Sequence, residues 1–212
     1  MRNLLFAIIF FQSCIGYKSE ADLPILGPKE TVEKTVDGKQ VVDTIYHTIP
    51  NFSFQNQEGN QISASNYDGL YYVTDFFFTS CPTICPIMTK NMLKVYDEFE
   101  GEERLKFLSH SIDTRHDSVP VLKKYADKIG VNANRWSFVT GSKEDIYGIA
   151  EYYLVAAAED ENAPGGYIHS GALILVDPQK RIRGYYDGTQ DNDITRLIRE
   201  LKAVLKHDAK LN

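Results

Sequence analysis

Cysteine is scarce in this 212-residue chain, with three in all, Cys14, Cys81 and Cys85. That number leaves no room for a multi-bridge disulfide framework. Apolar runs long enough to cross a bilayer as a helix, about 20 residues, are also missing. So is an excess of basic residues: 23 Lys and Arg stand against 29 Asp and Glu, for a net charge of -6, which argues against nucleic acid as a partner. Internal repeats and low-complexity segments are absent, so no repeat array is expected.

What is present centres on Thr79-Ser80-Cys81-Pro82-Thr83-Ile84-Cys85-Pro86. Two cysteines three residues apart follow directly on the apolar run Tyr71–Phe78. After Cys85, the residues Ile87, Met88, Met92, Leu93, Tyr96 and Phe99 recur at helical spacing. A strand therefore hands a thiol pair to a turn and the first turn of a helix, where Pro86 costs no hydrogen bond. If the helix starts near Cys81, the thiols form an i, i+4 pair on one face. If Pro82 keeps Cys81 in the turn, the sulfurs can still converge. A helix N-terminus favours thiolate, the form that attacks disulfides and binds soft metals. A dithiol/disulfide couple, a metal site, or both follow. An inert structural disulfide is the plainer reading, but so short a loop is a poor staple.

The N-terminus carries Arg2 and then the apolar run Leu4 to Phe11, which fits the h-region of an export signal spanning residues 1–13. Cys14 follows the small Ser13, which resembles a bacterial lipoprotein cleavage site, although Phe11 departs from the aliphatic residue usual three before such a cysteine. An ordinary signal cut elsewhere, or a short uncleaved anchor, are the alternatives. Lipidation of Cys14 would account for the odd cysteine and leave Cys81 and Cys85 as the only thiols. The mature chain would then be exported and membrane-anchored, facing the periplasm or cell exterior, where disulfides can form. Residues 14–42 are expected to be a polar tether, with a short hairpin at Asp37-Gly38. Residues 43–212 are expected to form one domain.

Inside that domain strands and helices alternate. Ile49–Phe54 and Gln61–Ser63 read as a strand pair, then come Tyr71–Phe78, the helix after the thiols and a strand over Leu105–Ile112. A helix over Ser118–Ile129, a strand over Trp136–Val139 and a helix from Lys143 to Leu154 follow. Two strands, Ala172–Val176 and Ile182–Tyr186, and a last helix capped by Asp193 close the chain. The order argues an α/β fold with a central mixed sheet flanked by helices.

This pattern resembles the thioredoxin superfamily and, more narrowly, the Sco (SenC) family of copper chaperones for cytochrome c oxidase assembly. The matching stretches are Phe78–Pro86, Ser111-Ile112-Asp113, Trp136–Gly141, and Tyr167-Ile168-His169-Ser170 leading into Ala172–Pro178. The resemblance implies a thioredoxin-like fold, copper bound by Cys81, Cys85 and His169, and a Cys81–Cys85 disulfide when oxidised. It implies a copper-accepting subunit of a terminal oxidase as partner, with copper delivered to its dinuclear copper A centre. Two thiolates suit Cu(I), and an added imidazole lets the set hold Cu(II) as well. His169 follows the glycine-containing loop Glu159–Gly166, which would let it swing toward the thiols. Alone, it would read as a strand-end histidine. Asp113 matches a family acidic residue near the metal site, as a partner for a ligand, a docking charge or simply a helix-capping carboxylate. The family's usual Asp-Pro and later Thr-Pro are replaced here by Asp113-Thr114 and Ser118-Val119-Pro120, which leaves Asp117 without an assigned role.

Blander readings attach to the rest. Met88 and Met92 are core methionines at helical spacing. His110 and His116 lack metal-ligand spacing to the thiols, His47 and His207 lie near the domain ends, and Trp136 belongs to the core with its N–H satisfied locally. The competing function is a thiol–disulfide oxidoreductase with Cys81 as nucleophile and Cys85 as resolving thiol, acting on the oxidase cysteines. A peroxidase with Cys81 as its reactive thiol and a bare structural domain are weaker options.

Overall fold

Which strands are buried on both faces decides where the chemistry sits. The computed structural model describes residues 21–209; the expected signal (1–13) and Cys14 lie outside the described residues. The central sheet has seven strands: β3 (Ser53–Asn56), β4 (Gln61–Ser63), β5 (Tyr71–Phe77), β6 (Leu105–Ser111), β7 (Trp136–Thr140), β10 (Ala172–Val176) and β11 (Ile182–Asp187). Their order is β11-β10-β5-β6-β7-β3-β4. The helices are α1 (Cys85–Glu98), α2 (Val119–Ile129), α3 (Lys143–Tyr152) and α4 (Asp191–Asp208).

All seven residues of β5 are buried. A strand covered on both faces has no reason to alternate polar with apolar, which is why Tyr71–Phe77 reads as an almost continuous apolar run. β6 runs parallel to β5, with Phe77 opposite Ser111, so both strands end at the same edge of the sheet. β10 runs antiparallel to β5, with Ile174 opposite Thr74, so its start lies at that same edge. The thiol loop after β5, the acidic loop after β6 and the histidine before β10 are brought together by these three pairings. This is the carboxyl edge of the parallel strands, where open α/β sheets place their ligands.

Two further ribbons stand outside this sheet. β1 (Lys29–Val36) and β2 (Lys39–Tyr46) pair antiparallel around Asp37 and Gly38, whose φ values of 50° and 75° suit a two-residue hairpin turn. This hairpin runs through residue 42, across the expected junction of tether and domain. β8 (Ala157–Glu159) and β9 (Tyr167–His169) form a second ribbon, which closes at its base the loop expected over Glu159–Gly166.

Two expectations about helix starts need correction or resolution. α4 begins at Asp191 after Gln190, so Asp193 is not its N-cap. Asp193 instead sits in the first turn, where a carboxylate suits the helix dipole, and accepts the Asp187 N–H at 2.6 Å. α1 starts at Cys85 with Pro86 in its first turn, so Cys81 lies in the preceding turn and the thiols are not an i, i+4 helical pair.

Candidate metal centre

The thiol loop is fixed from below by Asp117. Its carboxylate accepts the Thr79 N–H at 2.9 Å, the Thr79 hydroxyl at 2.5 Å and the Ser111 hydroxyl at 2.5 Å. Asp117 is fully buried, and a buried charge is tolerated only when its lone pairs are occupied in this way. The Cys81 N–H closes the turn onto the Phe78 carbonyl at 3.2 Å. Cys81 and Cys85 are both buried and both free.

The two sulfurs differ electrostatically. Burial works against a charged Cys81, but hydrogen bonds from the His169 ring and from Thr83 and Cys85 outweigh it and bring its pKa down to about 6. Burial pushes the Cys85 thiol far up, and the charges of Cys81 and Asp75 act in the same direction. The folded surroundings therefore favour thiolate at Cys81 and disfavour it at Cys85. Asp75, buried in β5 beneath the loop, is itself raised to about 6 by burial, opposed by a hydrogen bond from Ser109 and the His169 charge. One of its carboxylate oxygens has no hydrogen-bond partner.

His169 ends β9, and its Nε2 lies 3.3 Å from the Cys85 Sγ and 3.9 Å from the Cys81 Sγ. Its Nδ1 lies 3.2 Å from the Ser170 carbonyl, which can only accept, so Nδ1 carries a proton; Nε2, facing the sulfurs, donates to the Cys81 thiolate when it is protonated and offers its lone pair to a metal when it is not. The three ligand atoms lie within 4.8 Å of one another. A trigonal ion with metal–sulfur bonds of about 2.3 Å and a metal–nitrogen bond of about 2.0 Å needs edges of about 4 Å, so small adjustments suffice. Two sulfurs and one imidazole make a soft donor set of the kind that suits copper.

The ribbon bearing His169 is held by its neighbours. Tyr167 donates its hydroxyl to Asp113 at 2.7 Å and packs its ring on Phe78, centroids 5.0 Å apart. Gly165, with φ 76°, comes so close that a Cβ there would lie 2.8 Å from the Phe78 ring and 3.2 Å from Pro82. Outside, Glu159 pairs with Lys143 at 2.7 Å and Arg115 at 3.6 Å.

Asp113 is buried and touches neither sulfur nor His169. It accepts from Tyr167 and from His116, whose Nδ1 is 2.8 Å away, and these bonds hold its carboxyl below the usual range despite burial. Met88 and Met92 are fully buried. His110 is enclosed among the rings of Phe52, Phe54, Phe76 and Tyr153, and burial lowers its pKa to about 3. The Trp136 N–H reaches the Ser109 hydroxyl at 2.9 Å. Asp75, Asp117 and Tyr167 are the residues that sequence reasoning left without a role. Only Asp75 carries a signal, a carboxylate inside a run otherwise fit for a buried strand.

The family described as SCO1/SenC matches residues 42–206. The chain belongs to that family. Its fold is thioredoxin-like, in keeping with its structural neighbours. It is 29% identical over 168 residues to the SCO1 protein homolog of Bacillus subtilis, covering 78% of this chain and 87% of that one. A SCO1/SenC family lipoprotein from Bacillus anthracis superposes with a TM-score of 0.69 at 30% identity, over 74% of this chain and 95% of that one. Arabidopsis thaliana ScoI with copper bound shares the fold, with a TM-score of 0.61 at 23% identity over 72% of this chain and 97% of that one.

Proposed function

We propose that this SCO1/SenC member is a metallochaperone that carries one copper ion on Cys81, Cys85 and His169 and delivers it to the dinuclear copper A centre of a cytochrome c oxidase. The observation that carries the reading is the convergence of two sulfurs and an imidazole nitrogen within 4.8 Å at the sheet edge. Copper-bound structures of ScoI and of yeast Sco1 support copper as the ion. BsSco, described as a member of the Sco family of cytochrome c oxidase assembly proteins with a disulfide switch, supports both the destination and a Cys81–Cys85 disulfide. The Bacillus anthracis lipoprotein supports lipidation of Cys14 and a site outside the cytoplasm.

The chain's own part is to supply a ligand set that can be dismantled in steps. His169, on the small ribbon, leaves first, while the thiolates, on the buried strand–helix unit, are replaced one at a time by acceptor thiolates. Asp113 serves as a positioning residue by holding Tyr167, two residues before His169.

Copper stoichiometry and affinity of the reduced full chain test this, in wild type, His169→Ala and Cys85→Ser. One tightly bound copper, weakened in both variants, is expected. Unchanged binding in His169→Ala would overturn the ligand set.

The asymmetry of the thiols favours a second reading, a thiol–disulfide oxidoreductase. The Cys81 thiolate would attack a partner disulfide and release one partner thiolate. Cys85, losing its proton, would then attack the Cys81 sulfur, close the internal disulfide and release the second. Reduction of oxidised oxidase cysteines by a copper-free chain, lost in Cys81→Ser, is the outcome that would establish it.

A further inference from the structure

Beside the thiols lies a groove of about 420 Å³ that the ligand set does not use. Cys81 and Cys85 lie in its wall, and His169 does not. The thiol loop and the first turns of α1 form one side and the end of α2 the other. Its apolar surface comes from Phe78, Leu93, Tyr125 and Ile129, the last three half-buried. The two helices are tied across its floor by the hydrogen bond between Thr89 and Tyr125, 2.8 Å long, so the groove is preformed. Its charged lining residues are Lys90 and Lys128, both exposed, and no acidic side chain lines it. Neither lysine forms an ion pair among the described residues; Lys94, one turn further along α1, is bonded to Asp191, on which Lys90 acts only at longer range. The start of α1 adds the positive end of a helix dipole at Cys85 and Pro86.

The hollow on the other side of Ser80 offers a contrast. It is lined by Asp113, Arg115, His116, Glu159 and the exposed Glu161, and all of these but Glu161 are spent on one another and on Tyr167. The groove is the side of the thiol pair whose surface is mainly apolar and whose unpaired charge is positive, whereas the hollow is about half polar and carries Glu161. An apolar cleft with one sign of unpaired charge selects its partner by complementarity.

We infer that this groove seats an extended segment of the copper-accepting protein in which an apolar side chain and at least one carboxylate flank the acceptor cysteine. The apolar side chain fills the space between Leu93 and Ile129, and the carboxylate lies between Lys90 and Lys128. The acceptor thiolate then reaches the two sulfurs from the side that His169 does not occupy. The incoming ligand and the departing one use different faces of the metal, and no crowding delays the exchange. The inference rests on the metallochaperone reading for its cargo, but not for the docking itself.

Two synthetic peptides test it, each with a cysteine pair. One has leucine and glutamate beside the cysteines, and the other has lysine for each glutamate. Transfer of Cu(I) from the loaded full chain is timed at low and high salt. Docking of the same peptides with serine for cysteine is measured by fluorescence anisotropy on the copper-free chain. The acidic peptide is expected to take copper at least tenfold faster than the basic one at low salt, with the ratio shrinking as salt is raised. In Lys90→Glu/Lys128→Glu the preference should vanish or invert, while copper affinity and the far-ultraviolet spectrum stay unchanged. Equal rates for the two peptides, or a preference that survives the double variant, would overturn the inference. So would a concentration-dependent dimer dissolved by the double variant, which would assign the groove to a second copy of this chain. A chain that docks the acidic peptide but holds no copper would sink the metallochaperone reading and leave the groove standing.

Discussion

The strand–loop–helix unit that presents the thiols and the ribbon that presents His169 are built to opposite specifications. β5 is buried along its whole length, bonded on both sides, and continued by a loop whose Thr79 is gripped through backbone and side chain by Asp117. β8 and β9 have three residues each and belong to no larger sheet, and Ile168 beside His169 is 44% exposed. The first unit cannot shift without disturbing the core. The second depends on a few contacts, of Tyr167 with Asp113 and Phe78 and of Glu159 with Lys143 and Arg115. A site that, as proposed, holds an ion and also surrenders it would gain from such unequal anchoring, since locally unstable elements are the ones that move.

Substitutions ranked by their effect on stability can break this contrast. Asp117→Ala is expected to cost about 3 kcal/mol, because it strips hydrogen bonds from Thr79 and Ser111 in a buried network. Urea unfolding measures it, and a loss no greater than that for a ribbon variant would dissolve the distinction.

Asp75→Asn tests the rigid unit from beneath through pH. The Asp75 pKa is raised in the fold, from 3.8 to about 6, so the native state holds its proton more tightly than the unfolded chain does. Stability contributed by this group is therefore complete below pH 3.8 and is lost as pH rises toward 6. Asp75→Asn should stabilise the copper-free chain by about 3 kcal/mol at pH 8 and hardly at all at pH 3.5. Urea titrations at the two pH values check this, and an equal gain at both would remove the charge from the explanation.

Tyr167→Phe removes one hydrogen bond from the ribbon and is expected to cost 1 kcal/mol or less in unfolding, about the worth of one such bond. Its mark should appear instead as a several-fold faster release of copper to a chelator, followed by stopped flow. A large loss of stability with unchanged release would mean that the ribbon belongs to the rigid body after all.

The same contrast governs what could be read from the sequence. The rigid unit declares itself locally: a seven-residue apolar strand, two cysteines, a proline and a helical stripe follow one another without interruption. Its support does not. Asp117 meets Thr79 from 38 positions away and depends on the parallel pairing of β5 with β6, which no local spacing encodes. Asp113 was legible as an acidic residue at the right edge, but its bond is to Tyr167, 54 positions on. The ribbon was missed because three-residue strands such as Ala157–Glu159 are too short to show a period. His169 was placed through the family pattern in Tyr167–Ser170, since nothing in a lone histidine before a strand names it as a ligand. The start of α4 was misplaced by two residues because Asp191 and Asp193 both suit a helix start, and Asp193 has its bond with Asp187 instead.

Gly165 contributes no donor atom, yet the composition of the metal centre depends on it. Its φ of 76° and the 2.8 Å separation between a would-be Cβ and the Phe78 ring admit hydrogen and nothing larger. Any side chain at this position would wedge the ribbon off the thiol loop and withdraw His169 from the two sulfurs, so that the proposed three-coordinate site would become a two-coordinate one with Cys81, Cys85 and His169 all still in the chain. Under that proposal, coordination number is set partly by the size of a residue that is no ligand.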